Sequence, residues 1–267
     1  MPDISVVIPT FRREAQLVEA IDSVLRQSAD VEVLVVDDSP EGSARDAVEG
    51  YRDATVRYVQ NAEPSRGRPA LVRNFGWPLT TGRFVHFLDD DDRAAAGYYR
   101  AAIAAFDAHR NTGVVLGPIE PFATGPAAIE HEDRFFASAA RRLRRASQIG
   151  SRYWMTASLL FLDTMLVNSA CMIRRECIAP LAGYDAQLLL NEDVDFYCRA
   201  IRRFGFRALD QTVLQYRINP DSLMHSREDD SRLADTYRRM HQRYRATYGL
   251  AETLALKILA RTIIKAV

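Results

Sequence analysis

Three short apolar runs in the first part of the chain each stop at a polar cluster. SVVI runs into Pro9-Thr10-Phe11, VLVV into Asp37-Asp38, and FVHFL into Asp89-Asp90-Asp91-Asp92. Short unbroken runs bounded by turn residues read as strands covered on both faces. Segments of helical period lie between them. Residues 14–27 place Leu17, Ala20, Ile21, Val24 and Leu25 on one face, and residues 44–52, 71–79 and 98–109 are also predicted to be helical. Residues 56–59 and 114–116 add two strands. Strand and helix in alternation, joined by short links, predict an α/β domain with a mostly parallel sheet flanked by helices. Such sheets take ligands at the carboxyl ends of their strands. The three polar clusters are therefore expected to converge on one rim.

The rest of the chain is less regular. Residues 117–126 read as a loop, and 135–148 as a helix carrying Arg141, Arg142, Arg144 and Arg145. Residues 169–173 are expected to return to the sheet as a strand. Asn191-Glu192-Asp193 opens a helix that runs to about residue 204, followed by a strand at 208–213. A long polar helix is predicted over 226–248 and an apolar-rich one over 251–267.

A chain of 267 residues can bury one large core. Hydrophobic residues at 48% and charged residues at 26% exclude disorder and fibrous architectures. Formal net charge is zero, which argues against a nucleic-acid binder. The cysteines, Cys171, Cys177 and Cys198, are odd in number and form no CxxC pair. A disulfide framework or structural zinc is thus disfavoured, and a reducing cytoplasm is the expected setting. The N-terminus does not look like a signal peptide, and no apolar run reaches the ~20 residues needed to span a bilayer.

Four adjacent aspartates at a strand end repel one another and call for a counter-charge. Oxygen-only ligands suit Mg²⁺ or Mn²⁺, which keep substrate phosphates as further ligands. In an extended segment Asp89 and Asp91 would face the same side. Asp37 and Asp38 could bind a base or ribose hydroxyls, or simply start a turn. Arg66, Arg68 and Arg73 are candidates to hold a diphosphate, because a guanidinium fork matches phosphate. Glu192 and Asp193 stand where helix capping alone favours acids, but a general base there is equally expressible. His225 could complete a metal's coordination or touch phosphate.

Taken together, SVVIPTFRR, VEVLVVDDS, ALVRNFGWPLTTGRFVHFLDDDD and GYDAQLLLNEDVDFYCR resemble, in order and spacing, the inverting GT-A glycosyltransferases of family 2, in their bacterial non-processive form. The resemblance implies a GT-A fold with C-terminal helices and a UDP-sugar donor. It implies that Pro9, Thr10, Phe11 and Asp38 frame the nucleoside, with Arg73 near the base or diphosphate. Asp89-Asp90-Asp91 fills the DxD position. Asp91 would hold the metal, with Asp89 or Asp90 on ribose or metal. Asp193 would be the catalytic base. Only Gln215-Tyr216-Arg217 stands where processive members carry QxxRW, so a single-transfer enzyme is expected.

The organisation predicted is a catalytic domain over 1–217, with a nucleotide-sugar half (1–116) and an acceptor half (117–217), then a helical extension over 218–267. Phe135, Phe136, Tyr153 and Trp154 are candidates to stack on an acceptor sugar, and the arginines at 141–145 could meet a lipid-linked phosphate. Lys257, Arg261 and Lys265 form a basic stripe beside Leu254, Leu256, Ile258, Leu259, Ile263 and Ile264. That helix could touch the inner face of the plasma membrane peripherally, dock on the domain, or support a homodimer. The rival readings are a metal-dependent nucleotidyltransferase and a non-catalytic sugar-nucleotide-binding module. The first lacks a glycine-rich loop after the first strand, and the second would show a decayed acidic motif.

Overall fold

The computed structural model describes residues 1–122, 126–162, 166–218 and 230–264. In chain order, the first half holds β1 (Ile4–Thr10), α1 (Glu14–Leu25), β2 (Val31–Asp37), α2 (Arg45–Glu49), β3 (Val56–Gln60), α3 (Pro69–Gly76), β4 (Phe84–Phe87), β5 (Arg93–Ala94) and α4 (Tyr98–Ala108). The second half holds β6 (Val114–Leu116), β7 (Ile119–Phe122), α5 (Pro126–Ile149), α6 (Arg152–Phe161), β8 (Cys171–Arg174), α7 (Glu192–Phe204), β9 (Phe206–Ala208), β10 (Leu214–Arg217) and α8 (Asp230–Ile264).

The large sheet has the order β3-β2-β1-β4-β8-β6-β9. Its pairs are parallel except those of β8, which runs antiparallel between β4 and β6. Successive side chains of an apolar strand still divide between the faces. In β1, Ile4, Val6 and Ile8 pack with α1 and α4 through Leu17, Ile21, Tyr98 and Phe106. Val7, between them, faces the opposite core, which α3, α5, α6, α7 and α8 cover. A small sheet of order β5-β10-β7 stands beside the large one. Residues 89–92 connect β4 of the first to β5 of the second, so the acidic run lies at the junction of both.

Two expectations are corrected. Within 117–126, β7 pairs in parallel with β10, a partner about a hundred residues away that local sequence does not reveal. The strand expected at 208–213 is instead two, β9 and β10, because Asp210-Gln211-Thr212 interrupts the apolar run. The two helices expected at the C-terminal end meet at Gly249, whose φ of 84° breaks α8 between them.

α8 packs on α6 and α7 and adds Met240, Tyr244, Leu256, Ala260 and Ile263 to the core. Arg202 of α7 holds Glu252 by two bonds of 2.7 and 2.8 Å. Among the described residues, no helix is long and apolar enough to cross a membrane.

One glycine ties the fold to the site. Gly183 has φ 66°, and a Cβ there would lie 2.4 Å from Asn74 Oδ1. Asn74 cannot easily retreat, since Oδ1 accepts from the Tyr184 amide (2.9 Å) and Nδ2 donates to the Tyr184 carbonyl (2.8 Å). Gly183→Ala is expected to destabilise the protein by about 1–3 kcal/mol in urea unfolding. An unchanged midpoint would show that the contact is soft.

Candidate active site

Residues 89–92 form a tight turn, with the Asp92 amide bonded to the Asp89 carbonyl at 3.2 Å. The extended backbone expected over these residues is therefore replaced by a turn, in which Asp89 and Asp91 pair with different arginines. Asp90 is buried and accepts from Thr10 Oγ1 at 2.7 Å and Arg13 Nη1 at 3.1 Å. Asp91 shares that guanidinium at 2.6 Å. Asp89 accepts from Arg73 Nη2 at 2.6 Å. Asp92 is buried. Its Oδ1 accepts from the Arg217 amide at 3.0 Å, while Oδ2 has no hydrogen-bond partner.

Burial pushes Asp90 up to about 6, against the pull of Arg13. Burial likewise raises Asp91, and raises Asp92 well above the usual carboxylate range. These shifts mark a rim where ionised oxygens lack compensation.

The second acidic motif arrives from the opposite side of the sequence. Asn191, in the left-handed region at φ 52°, turns the chain into α7. A non-glycine residue held there stores strain, as functional turns often do. Glu192 Oε1 then accepts from Arg73 Nη1 at 2.6 Å. Arg73 is 3% exposed and spans Asp89 and Glu192, with the Tyr184 ring 5.5 Å from its guanidinium carbon. Asp193 stands next to this pair and accepts from the Val194 amide at 2.8 Å. Burial, reinforced by the Glu192 charge and opposed by Arg73, pushes it up to about 7.

The nucleoside-side candidates connect to the same rim. The Asp38 amide donates to the Thr10 carbonyl at 2.9 Å, and Thr10 in turn holds Asp90. The Asp38 carboxylate accepts from Asn61 Nδ2, the Ser65 amide and Ser65 Oγ at 2.8, 2.8 and 2.6 Å, fixing the 61–68 loop. Asp37 takes the turn-building role through the Ser39 and Ala44 amides and the Tyr58 hydroxyl. Pro9 is half-buried next to Thr10, and Phe11 is 49% exposed at the strand's end. Arg66 and Arg68 are exposed. His225 lies outside the described residues.

Among the described residues, no three His, Cys, Asp or Glu side chains form a ready cage for a metal. The rim nevertheless gathers Asp89–Asp92, Glu192 and Asp193 around two guanidinium groups, Arg13 and Arg73. Excess negative charge, oxygen-only donors and the orphaned Asp92 oxygen suit a hard divalent cation that takes one or two carboxylates and completes its shell with phosphates. Asp91 and Asp89 fit that description.

Arg13 escaped the sequence reading, although it closes the PTFRR segment. Glu192 was visible only as half of an acidic pair. Asn168, whose Nδ2 reaches Asp89 at 3.4 Å, and Ser169, which accepts from the Asp89 amide, carry no sequence signal, since β8 brings them in from far away. Of the acceptor-side aromatics, Tyr153 and Trp154 lie away from the rim. Trp154 is buried in the core, and Phe136 tilts against Tyr216 with ring centroids 5.2 Å apart. Tyr153 lines a cavity of about 580 Å³ with Asn111 and Phe206, at the sheet's other end. The Phe135 side chain lies outside the described residues. Arg141, Arg144 and Arg145 are exposed.

The Asp193 shift has a stability consequence with a definite sign. An unfolded aspartate ionises near 3.9, so below that pH the group is neutral in both states. As pH rises towards 7 the native state is increasingly penalised for holding it neutral or burying its charge. Asp193→Asn should therefore melt higher than the parent at pH 8, with the gain shrinking at pH 5. Equal melting temperatures at both pH values would contradict the shift.

The Glycosyl transferase family 2 model matches residues 5–178. The minor teichoic acid biosynthesis protein GgaB of Bacillus subtilis (strain 168) is 33% identical over 141 residues, covering 51% of this chain and 15% of the relative. The GalNAc(5)-diNAcBac-PP-undecaprenol beta-1,3-glucosyltransferase of Campylobacter jejuni is 36% identical over 100 residues, covering 36% of this chain and 32% of the relative. The chain thus spans a minor part of these relatives' lengths. Among solved structures, S. aureus TarS 1-349 in complex with UDP-GlcNAc superposes with a TM-score of 0.64 at 20% identity, covering 90% of this chain and 66% of that one. Mannosyltransferase PcManGT from Pyrobaculum calidifontis, in complex with GDP-Man and Mn²⁺, gives a TM-score of 0.60 at 18% identity, covering 99% and 74%. These two likenesses carry the GT-A fold. The family match spans more than half of the chain, over the strands and turns that build the acidic rim, and the chain belongs to glycosyl transferase family 2.

Proposed function

We propose that this protein is an inverting glycosyltransferase that moves one sugar from a nucleoside-diphosphate donor, preferentially a UDP-sugar, to an acceptor hydroxyl. The observation that carries the reading is Arg73, whose guanidinium joins Asp89 to Glu192 and so sets Asp193 beside the acidic turn. The catalytic unit is assigned to 1–217, with donor binding in 1–116, acceptor binding in 117–217, and 218–267 as a helical extension. TarS with UDP-GlcNAc and PcManGT with GDP-Man and Mn²⁺ support a nucleotide-sugar donor. GgaB and the GalNAc(5)-diNAcBac-PP-undecaprenol beta-1,3-glucosyltransferase support a polymer or lipid-linked acceptor, which a peripheral position on the inner membrane face would serve.

In this reading Pro9, Thr10, Phe11 and Asp38 frame the nucleoside, and Asp89 or Asp90 meets the ribose. Asp91, with Asp89 and His225, would hold Mn²⁺ or Mg²⁺, which when bound offsets the charge gathering on the diphosphate. Arg13 pairs with Asp90 and Asp91. Asp193, raised towards 7, is suited to take the proton from the acceptor hydroxyl near neutral pH. That oxygen forms its bond to the anomeric carbon from the face opposite the diphosphate. The bond from that carbon to the diphosphate oxygen breaks, and its electron pair leaves with the nucleotide. The configuration inverts. A non-catalytic sugar-nucleotide module fits less well, because Asp193 and the acidic turn are both present.

Asp193→Asn should lower UDP release from a UDP-sugar by about 10²–10⁴-fold while calorimetric UDP binding persists. Parental turnover in that variant would remove Asp193 as the base. Asp91→Asn should weaken UDP binding in the presence of Mn²⁺ and leave metal-free binding nearly unaltered. Identical isotherms for parent and variant with Mn²⁺ would remove Asp91 as a metal ligand.

A further inference from the structure

The loop from Gly183 to Asn191 delivers Asp193, yet few of its own side chains are buried. Tyr184 and Leu188 are its buried apolar anchors, while Ala186 and Leu190 are intermediate, Gln187 is exposed and Leu189 is 42% exposed. Asn74 and Arg199 hold its beginning through the Tyr184 backbone and the Gly183 carbonyl, and α8 adds a further set of bonds. Arg243 donates through Nη1 to Asp195 Oδ2 at 2.9 Å and through Nη2 to Asp185 Oδ2. One guanidinium thus joins the loop's beginning to the first turn of α7. Thr236, two turns earlier on α8, donates through Oγ1 to the Leu190 carbonyl at 3.0 Å, on the residue before strained Asn191. Every residue of this arrangement lies beyond the 5–178 match to the family.

The two carboxylates also have other partners. Asp185 accepts from Arg239 Nε at 2.8 Å, and Asp195 from Arg199 Nε at 2.8 Å. Losing Arg243 therefore leaves each carboxylate paired with a cation. It removes the direct connection between them, while Arg199 still joins Asp195 to the Leu181 and Gly183 carbonyls, and no unpaired buried charge is created to drive unfolding. Arg243 is 31% exposed along its side chain, facing a cavity of about 440 Å³ between α6, α7 and α8. That opening gives a replacement side chain room.

We propose that Arg243 is a positioning residue for the catalytic base: by joining Asp185 to Asp195 it sets the turn at Asn191 and so the aim of the Asp193 carboxylate. The proposal rests on Asp193 being the base. A guanidinium is required because its planar fork serves two carboxylates at once, whereas an ammonium is a point charge. Donor binding depends on Thr10, Asp38 and the 61–68 loop, which do not touch α8 through any bond given above. Loss of the fork should therefore separate turnover from donor affinity.

The test compares Arg243→Gln, Arg243→Lys and Asp193→Asn as full chains, with UDP-GlcNAc and Mn²⁺ as probes, reading kcat for UDP release and Kd for UDP. Arg243→Gln should lower kcat by about 10- to 100-fold, the penalty of misplacing a reacting group by roughly 1 Å, with UDP Kd within about twofold. Arg243→Lys should recover part of that loss. Parental kcat in Arg243→Gln, or loss of UDP binding in parallel with kcat in both Arg243 variants, would overturn the positioning role. If Asp193→Asn keeps parental turnover, the base assignment itself fails. An inactive Asp193→Asn beside a fully active Arg243→Gln refutes the inference alone.

Discussion

A single buried guanidinium holds the rim together. Arg73 rises from α3, Asp89 follows β4, and Glu192 opens α7, so three elements far apart in sequence meet at one side chain. Without it, Asp89 and Glu192 would face each other across a poorly hydrated site and repel. Arginine suits the position better than lysine, because it stays charged when buried and its fork reaches both carboxylates in one plane. Tyr184 lies against its guanidinium and donates to Asn168 Oδ1 at 2.8 Å. The ion triad is thereby embedded in a wider hydrogen-bonded base that also holds the Asp89 turn. Buried charge of this kind adds little to stability by itself. Its effect is to fix the separation of the two acidic motifs before any ligand arrives.

Much of this was legible from residue order. The apolar runs at β1, β2 and β4 are bounded by residues that stop strands, and a parallel sheet places such boundaries on one edge. The positions of Thr10, Asp38 and Asp89–Asp92 follow from that rule alone. The pairing of Arg73 was not legible, because its partners lie 16 and 119 positions away and an isolated arginine looks like a surface residue. The same holds for β7 and β10, whose ladder joins distant segments. The acidic turn misled for a local reason: period-two reasoning assumes an extended backbone, and residues 89–92 curl instead. The aromatic residues of α6 misled for another. Helical segments with exposed faces can look like binding surfaces until packing shows Trp154 inside.

The acidic turn and the start of α7 form one side of the rim, but they are supported differently. The turn is buttressed from within the sheet by Thr10, Arg13 and Ser169. The α7 entrance is buttressed from outside by α8, through arginines and a threonine as well as through Met240 and Tyr244 in the core. Gly249 allows α8 to bend after this contact, so that its later part returns Glu252 to Arg202 while Leu254 and Ile258 remain exposed, as do Lys257 and Arg261. Lys265 lies outside the described residues.

The reversed direction of β8 has a consequence for how such a scaffold can change. Leu116 at the end of β6 and Cys171 at the start of β8 are register partners. The chain therefore departs and re-enters the large sheet at adjacent points on its ligand-facing edge. Everything from 117 to 170, including β7, α5 and α6, is topologically a detour with a fixed doorway. Closure entropy grows only logarithmically with the length of such a detour. The length of the detour is thus weakly constrained, while its last residues, Asn168 and Ser169, stay tied to the Asp89 turn.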